Sequence, residues 1–274
     1  MTTARALLTT AALALALLTG CTDDGNEPAA ADSSPSVSSP SAEPARPAPR
    51  PEDGRCYALA YDDAVAPTTN RKPVPCSGSF TARTFHVGDL DTLVDGHLLA
   101  VDSARVRTQL ATECPRRFAS YVGGSPEDRR LSMLSTVWFS PTVRQSDAGQ
   151  SWYRCDVVAV ESEGRLAPLS GSLEGVLDTE KGRARYGVCG TAEPGTDGFE
   201  RVICGEKHAW QAVGTVDLPG STYPAKAPAS VEAACMDAAR DRADDALSFD
   251  WGYELPTKAQ WERDQHYALC WAPS

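Results

Sequence analysis

Cysteine spacing constrains this chain more than any other feature. Apart from Cys21 near the start, there are Cys56, Cys76, Cys114, Cys155, Cys189, Cys204, Cys235 and Cys270. Successive gaps of 20, 38, 41, 34, 15, 31 and 35 residues contain no Cys-x-x-Cys pair. Neither a zinc site nor a thioredoxin-type centre is therefore expected, and no metal or cofactor is assigned. The eight divide into two sets of four, the second with similar but shorter gaps, and the surrounding text repeats with them. Val74-Pro75-Cys76 answers Val202-Ile203-Cys204, and Val87-Gly88 answers Val213-Gly214. Pro141-Thr142 stands 14 residues before Cys155, as Pro256-Thr257 does before Cys270, and aromatic residues match at Trp138 and Tyr253 and at Trp152 and Tyr267. Such agreement at a fixed period indicates duplication.

The start of the chain explains why these cysteines are expected to be oxidised. A charged Met1–Arg5 segment leads into the apolar run Ala6–Leu18, then Thr19, Gly20 and Cys21. That is the layout of an export signal, too short for a membrane span of about 20 apolar residues. Leu18-Thr19-Gly20-Cys21 resembles the lipobox of bacterial lipoproteins. The resemblance implies cleavage between Gly20 and Cys21 and lipidation of Cys21, the alternative being an ordinary cleaved signal with a stray cysteine. Two acyl chains hold a protein on a bilayer where one does not. The cell membrane is thus the first expected partner, and the location its extracytoplasmic face.

Removing residues 1–20 takes away Arg5 and no acid, leaving 25 basic against 37 acidic side chains, a net of −12. Such a charge repels phosphate backbones, so no nucleic-acid partner is expected. Residues 22–53 hold seven Pro, six Ala and six Ser, with Val37 the one large apolar side chain. This composition cannot offset the entropy of ordering and reads as a disordered tether. The expected organisation is a signal peptide at 1–20, lipid anchor and tether at 21–53, a first copy with linker at 54–180, and a second copy at 181–274.

Within the first copy, Arg55–Tyr61, Phe80–Val87, Leu131–Phe139 and Trp152–Val160 read as strands. A helix opens at Asp102 or Ser103, with Val106, Leu110, Cys114 and Phe118 on one face and a kink or early end at Pro115. The second copy repeats this with Ser230 as N-cap, then Val231, Cys235 and Ala238 or Ala239, and strands at Phe249–Leu255 and His266–Trp271. The segment Glu161–Arg185 reads as a terminal strand followed by a charged linker. The fold class is α+β: two tandem, small, disulfide-stapled domains, each one main helix packed on an antiparallel sheet.

Four cysteines allow three pairings per copy. Neighbours are preferred, Cys56 with Cys76, Cys114 with Cys155, Cys189 with Cys204 and Cys235 with Cys270, because a helix cysteine and a strand cysteine make a natural staple. Each closed loop would contribute about 3–4 kcal/mol in the chain-entropy model.

The repeated unit resembles the septum formation domain of actinobacterial envelope proteins. That family's ending, Trp-x-x-Gly-x-Arg-x-x-x-Cys, is met in the second copy by Trp261, Asp264, His266 and Cys270, while the first copy keeps Gly149 and Cys155 with Ser146 and Ser151. The family's Pro-His after the second cysteine survives as His208, with Phe80 at its counterpart. The resemblance implies an envelope protein connected with septation whose molecular activity is undefined.

No catalytic pattern accompanies it. His86, His97, His208 and His266 are scattered, and neither His-Glu-x-x-His nor Gly-x-Ser-x-Gly occurs. Ser172 has glycines at the wrong offsets and reads as a turn. Asp89, Asp91, Asp95 and Gly96 superficially resemble a calcium loop, but Leu93 stands where an oxygen ligand is needed. Trp138, Trp152, Trp210, Trp251, Trp261 and Trp271 are expected in the core rather than on a sugar-stacking surface. The expected function is a non-enzymatic, lipid-anchored binding or scaffolding module for an envelope protein or cell-wall polymer. The alternative is a cell-wall hydrolase or transferase working through paired carboxylates.

Overall fold

In a computed structural model of the chain the described residues are 50–224 and 226–274. The first half begins with β1 (Cys56–Tyr57), α1 (Tyr61–Val65) and β2 (Ala82–Asp89). A hairpin follows, β3 (Leu93–Val94) and β4 (His97–Leu98), turning on Asp95-Gly96 with φ of 52° and 78°, as a two-residue type I′ connection requires. Next come α2 (Ala104–Val122), α3 (Pro126–Arg130), β5 (Leu134–Phe139), α4 (Val143–Asp147), β6 (Trp152–Ser162) and β7 (Arg165–Leu166). The antiparallel sheet runs β1-β2-β6-β5, with β7 on the end of β6. Val106, Leu110, Cys114 and Val122 are the buried stripe of α2. Ser103 caps that helix, its side chain accepting from the Val106 amide.

A 3₁₀ turn (Val176–Asp178) and α5 (Glu180–Tyr186) lead into the second half: β8 (Val188–Gly190), β9 (Arg201–Ile203), β10 (Trp210–Asp217), α6 (Ala229–Arg240), β11 (Gly252–Glu254), α7 (Lys258–Trp261) and β12 (Tyr267–Pro273). Its sheet order is β9-β8-β10-β12-β11. With β9 set aside, this is the first sheet strand for strand. The isolated bridge of Cys56 with Val74 stands where Cys189 pairs with Val202. Each long strand pair also has a register shift at the same place: between Thr84 and His86 opposite Asp156 and Cys155, and between Ala212 and Gly214 opposite Trp271 and Cys270.

The repeat extends to the turns. Thr142 and Gln145 cap α4 reciprocally, and Thr257 and Gln260 do the same for α7. The Gln150 amide then donates to the Gln145 carbonyl, and the Gln265 amide to the Gln260 carbonyl, both at 3.0 Å. Between them Gly149 has φ 86° and Asp264 has φ 65°. Gly149 and Asp264 thus share a left-handed backbone position, one that Asp tolerates better than most residues.

All four preferred cysteine pairs are bridged: Cys56–Cys76, Cys114–Cys155, Cys189–Cys204 and Cys235–Cys270. Other expectations are corrected. Of the kink or early end expected at Pro115, the early end does not occur; α2 continues to Val122, because Cys114 is bonded to the sheet and Val122 is buried against it. Pro228 rather than Ser230 occupies the N-cap of α6, without a side-chain bond, so Ser230 lies inside the helix. Val87-Gly88 and Val213-Gly214 are not equivalent: the shared register shift places Phe85-His86 opposite the first strand cysteine as Val213-Gly214 lie opposite the second.

The stretch read as a linker is structured, since Thr179 caps α5 through the Gly182 amide and Leu169, Leu173 and Leu177 are buried. These leucines share one core cluster with Leu134 and Val157 of the first sheet, with Phe80 and the α2 residue Val122, and with Tyr186 and Ile203. Beyond the strand and helix pattern, the halves therefore share apolar surface. In the second half, Leu131 and Met133 pack on the Val188, Leu269 and Trp271 cluster.

Candidate functional site

The two halves leave a cleft of about 660 Å³ along their junction. Its first wall is Ser132–Ser135, which lead into and open β5, together with Val160 and Ser162 of β6 and Glu163 just beyond it. The second wall is Phe199, Glu200 and Arg201 at the entry to β9, Glu254 at the end of β11, and Gln260 and Arg263 around α7. Local sequence fixes each part. Backbone contact between Ser132 and Gly187 brings the halves together beside the cleft. The Thr257–Gln260 capping box holds the one-turn α7, and Arg263 follows directly from it. Arg201 Nε donates to both oxygens of Glu254 at 3.1 and 2.9 Å, tying the two edge strands of the second sheet together. Among the described residues, Glu163, Glu200 and Arg263 have no ion-pair partner. The cleft therefore offers two unpaired carboxylates, one unpaired guanidinium, serine hydroxyls and the apolar side chains of Met133 and Phe199.

A second polar arrangement lies under the first sheet, where Arg154 and Asp156 of β6 point to the face covered by Tyr57, Phe139 and the segment around α1. Their side chains are 4% and 0% exposed. Arg154 Nη2 lies 3.0 Å from Asp156 Oδ2, and Thr84 Oγ1 donates to Asp156 Oδ1 at 2.7 Å. The guanidinium is 3.6 Å from the Tyr57 ring centroid and 4.7 Å from that of Phe139. Burial pushes the Asp156 carboxyl up to about 6, outweighing the pull of Arg154 and Thr84 in the other direction. At the equivalent places the second half has Leu269, Trp271 and Ala212, all apolar and buried. This is a structural pair enclosed by the fold, not part of the cleft.

The residues weighed from sequence fall elsewhere. Gly20 and Cys21 lie outside the described residues. His86 Nε2 is 3.3 Å from the Tyr153 hydroxyl, and burial, then the nearby Arg117 charge, lower its pKa from the ordinary value. His97 is exposed on β4, and His208 Nδ1 sits 2.7 Å from the Glu206 carbonyl. His266 stacks on Trp261 at 4.1 Å, a pairing for which the first half has only Ser146 and Ser151. The four imidazoles do not converge, and no cluster of metal-binding side chains occurs among the described residues.

Ser172 caps a local turn by accepting from the Glu174 amide. Asp91 and Asp95 belong to the β3–β4 hairpin, and Asp89 pairs with Arg50. Trp152, Trp261 and Trp271 are buried, and Trp138, Trp210 and Trp251 half-buried, so none stands open as a stacking platform. The cleft and the Arg154–Asp156 pair were missed from sequence. For the pair a signal existed: two charges two residues apart, on one face of an otherwise apolar strand flanking a cysteine.

Comparison with known families agrees with the repeat. The family described as septum formation matches residues 26–141 and again 132–270. The chain belongs to the septum formation family. No curated protein and no solved structure matches. Membership in the septum formation family connects the chain with septation or the cell envelope. The overlap of its two matches falls at residues 132–141, which include β5, the strand that opens one wall of the cleft.

Proposed function

We propose that this septum formation protein is a lipid-anchored, extracytoplasmic binding module that recruits or scaffolds an envelope component during septation, without catalysing a reaction. The observation that carries the reading is the junction cleft, a concave surface with unpaired charges that neither half builds alone. Four disulfides favour an oxidising compartment. The Leu-Thr-Gly-Cys segment supports an anchor at Cys21, and no helix among the described residues is long and apolar enough to cross a membrane. Of the cleft carboxylates, Glu254 accepts from Arg201 with both oxygens, the geometry of a structural tie rather than of a proton shuttle.

The test replaces Glu200→Lys and Arg263→Glu together in cells and follows the protein by fractionation and imaging. The expected outcome is a folded protein that stays with the membrane but no longer concentrates at septa. Normal septal localisation of this variant would refute the binding reading. Release of soluble fragments from purified cell wall by the wild type would refute the non-enzymatic part.

A further inference from the structure

Strand β5 is the outer strand of the first sheet, hydrogen-bonded only to β6. In an antiparallel pair alternate residues point their amide and carbonyl groups to the partner strand and the others away. The Val160 amide donates to the Met133 carbonyl, which with the register places Ser135, Val137 and Phe139 as the residues bonded to β6. The backbone amide and carbonyl groups of Leu134, Thr136 and Trp138 therefore point away from β6.

This outer edge is closed at its two ends and open between them. At one end Ser132 bridges to Gly187, and the Ser132 hydroxyl accepts from the Leu134 amide. At the other the Ser140 amide donates to the Pro67 carbonyl. Between these, the Leu134 carbonyl and the amide and carbonyl groups of Thr136 and Trp138 have no backbone partner among the described residues. Thr136 Oγ1 beside them is buried without a hydrogen-bond partner. An unpaired edge is a template for another strand unless it is charged, bulged or covered. Leu134 and Ser135 are also lining residues of the junction cleft, so the open edge leads into it.

We propose that the outer edge of β5 takes up an extended peptide segment of a partner protein, which adds one strand to the first sheet between Ser132 and Ser140. Unpaired amides and carbonyls repeating every second residue match a polypeptide backbone, and side chains alternate along it to give specificity. Glu163 and Glu200 outnumber the unpaired guanidinium of Arg263 in the cleft, and so favour basic side chains at the end of the segment that enters it. The inference rests on the cleft being the binding face and names the kind of partner it receives.

Random seven-residue peptides displayed on phage are selected against the full chain in detergent micelles, and the enriched peptides are synthesised for affinity measurement. Strand addition predicts enriched Lys or Arg and at least a tenfold affinity loss with Thr136→Pro, which removes an outward amide but no bond to β6. It also predicts losses of that size when alternate peptide amides are N-methylated while the intervening ones tolerate it. The methylation series tests the mode without altering the protein, so it decides the matter even where Thr136→Pro fails to fold. Binding that falls with Glu200→Lys but ignores both backbone perturbations overturns strand addition and leaves the cleft reading standing. Enriched peptides indifferent to Glu200→Lys, Thr136→Pro and N-methylation, or no enrichment at all, also overturn strand addition, and the cleft reading is then decided by septal localisation of the Glu200→Lys, Arg263→Glu variant.

Discussion

Replacing Arg154 by Leu removes the one counter-charge, among the described residues, of a carboxylate that is fully buried. Breaking a buried pair from one side costs about 3–5 kcal/mol, most of it from the charge left behind. The cost depends on pH in a definite direction. Burial raises Asp156 from its ordinary 3.8 to about 6, so the folded state holds this proton more tightly than the unfolded chain does. The stabilisation from that proton is complete below about 3.8 and is lost as pH rises through about 6. A shift of roughly two pH units corresponds to about 3 kcal/mol. Urea unfolding followed by tryptophan fluorescence at pH 4.5 and 7.5 should show Arg154→Leu destabilising strongly at the higher pH and much less at the lower. Arg154→Leu with Asp156→Val, which copies the apolar character of Leu269 and Trp271 in the second half, should be neutral or more stable than wild type by up to about 4 kcal/mol. Equal loss from the single substitution at both pH values, or a double variant as unstable as the single, would refute the reasoning.

Four further outcomes are expected. Gly182→Ala should cost about 3 kcal/mol in thermal or urea unfolding, because its Cβ would stand 1.8 Å from the Val176 carbonyl oxygen, a backbone atom that cannot turn aside. Asp264→Gly should leave stability unchanged or slightly raised in the same assay, since the φ of 65° that Asp264 adopts suits glycine, the residue at the matching Gly149. Mild thiol treatment followed by alkylation and peptide mapping should label Cys56 and Cys76 before any other pair. Cys76 is exposed, whereas both cysteines of Cys114–Cys155 and Cys235–Cys270 are at most 1% exposed. Cys21→Ser should move the protein from the membrane fraction to the soluble fraction, as measured by ultracentrifugation of lysed cells.

What the sequence made legible follows from the range over which each signal acts. Cysteine spacing, the Pro-Thr starts of α4 and α7 and the apolar stripe of α2 are local patterns, and they located the duplication, the pairings and the helix-on-sheet layout. The N-cap of α6 was missed because Ser is the commoner capping residue, yet Pro228 already presets the extended backbone needed there. A kink or early end is expected at Pro115 because local rules exclude the neighbours that hold α2 together, namely the bond to Cys155 and the sheet beneath Val122. The register shift in the central strand pairs leaves no trace in composition, so Val-Gly text could be matched two residues out of place. Arg201 and Glu254 meet across 53 residues, and a cleft built from such long-range encounters has no signature in any window of sequence.

The two halves have diverged in a way that bears on function. Both keep what builds the frame: the helix-to-strand disulfide, the neighbouring cysteine pair, the register shift and the capped one-turn helix before the last strand. They differ in what that frame encloses. The first half buries Arg154 and Asp156 where the second buries Leu269 and Trp271, and the second stacks Trp261 on His266 where the first has Ser146 and Ser151. Two redundant binding modules would be expected to keep the same surface twice. Here the conserved frame joins unlike surfaces, with Met133 and Leu131 packed on the second core and Tyr186 and Ile203 completing the first. The cleft takes Glu163 and the β5 edge from one copy and Glu200, Arg201 and Arg263 from the other. The cleft is therefore a product of both copies together and has no counterpart within either one.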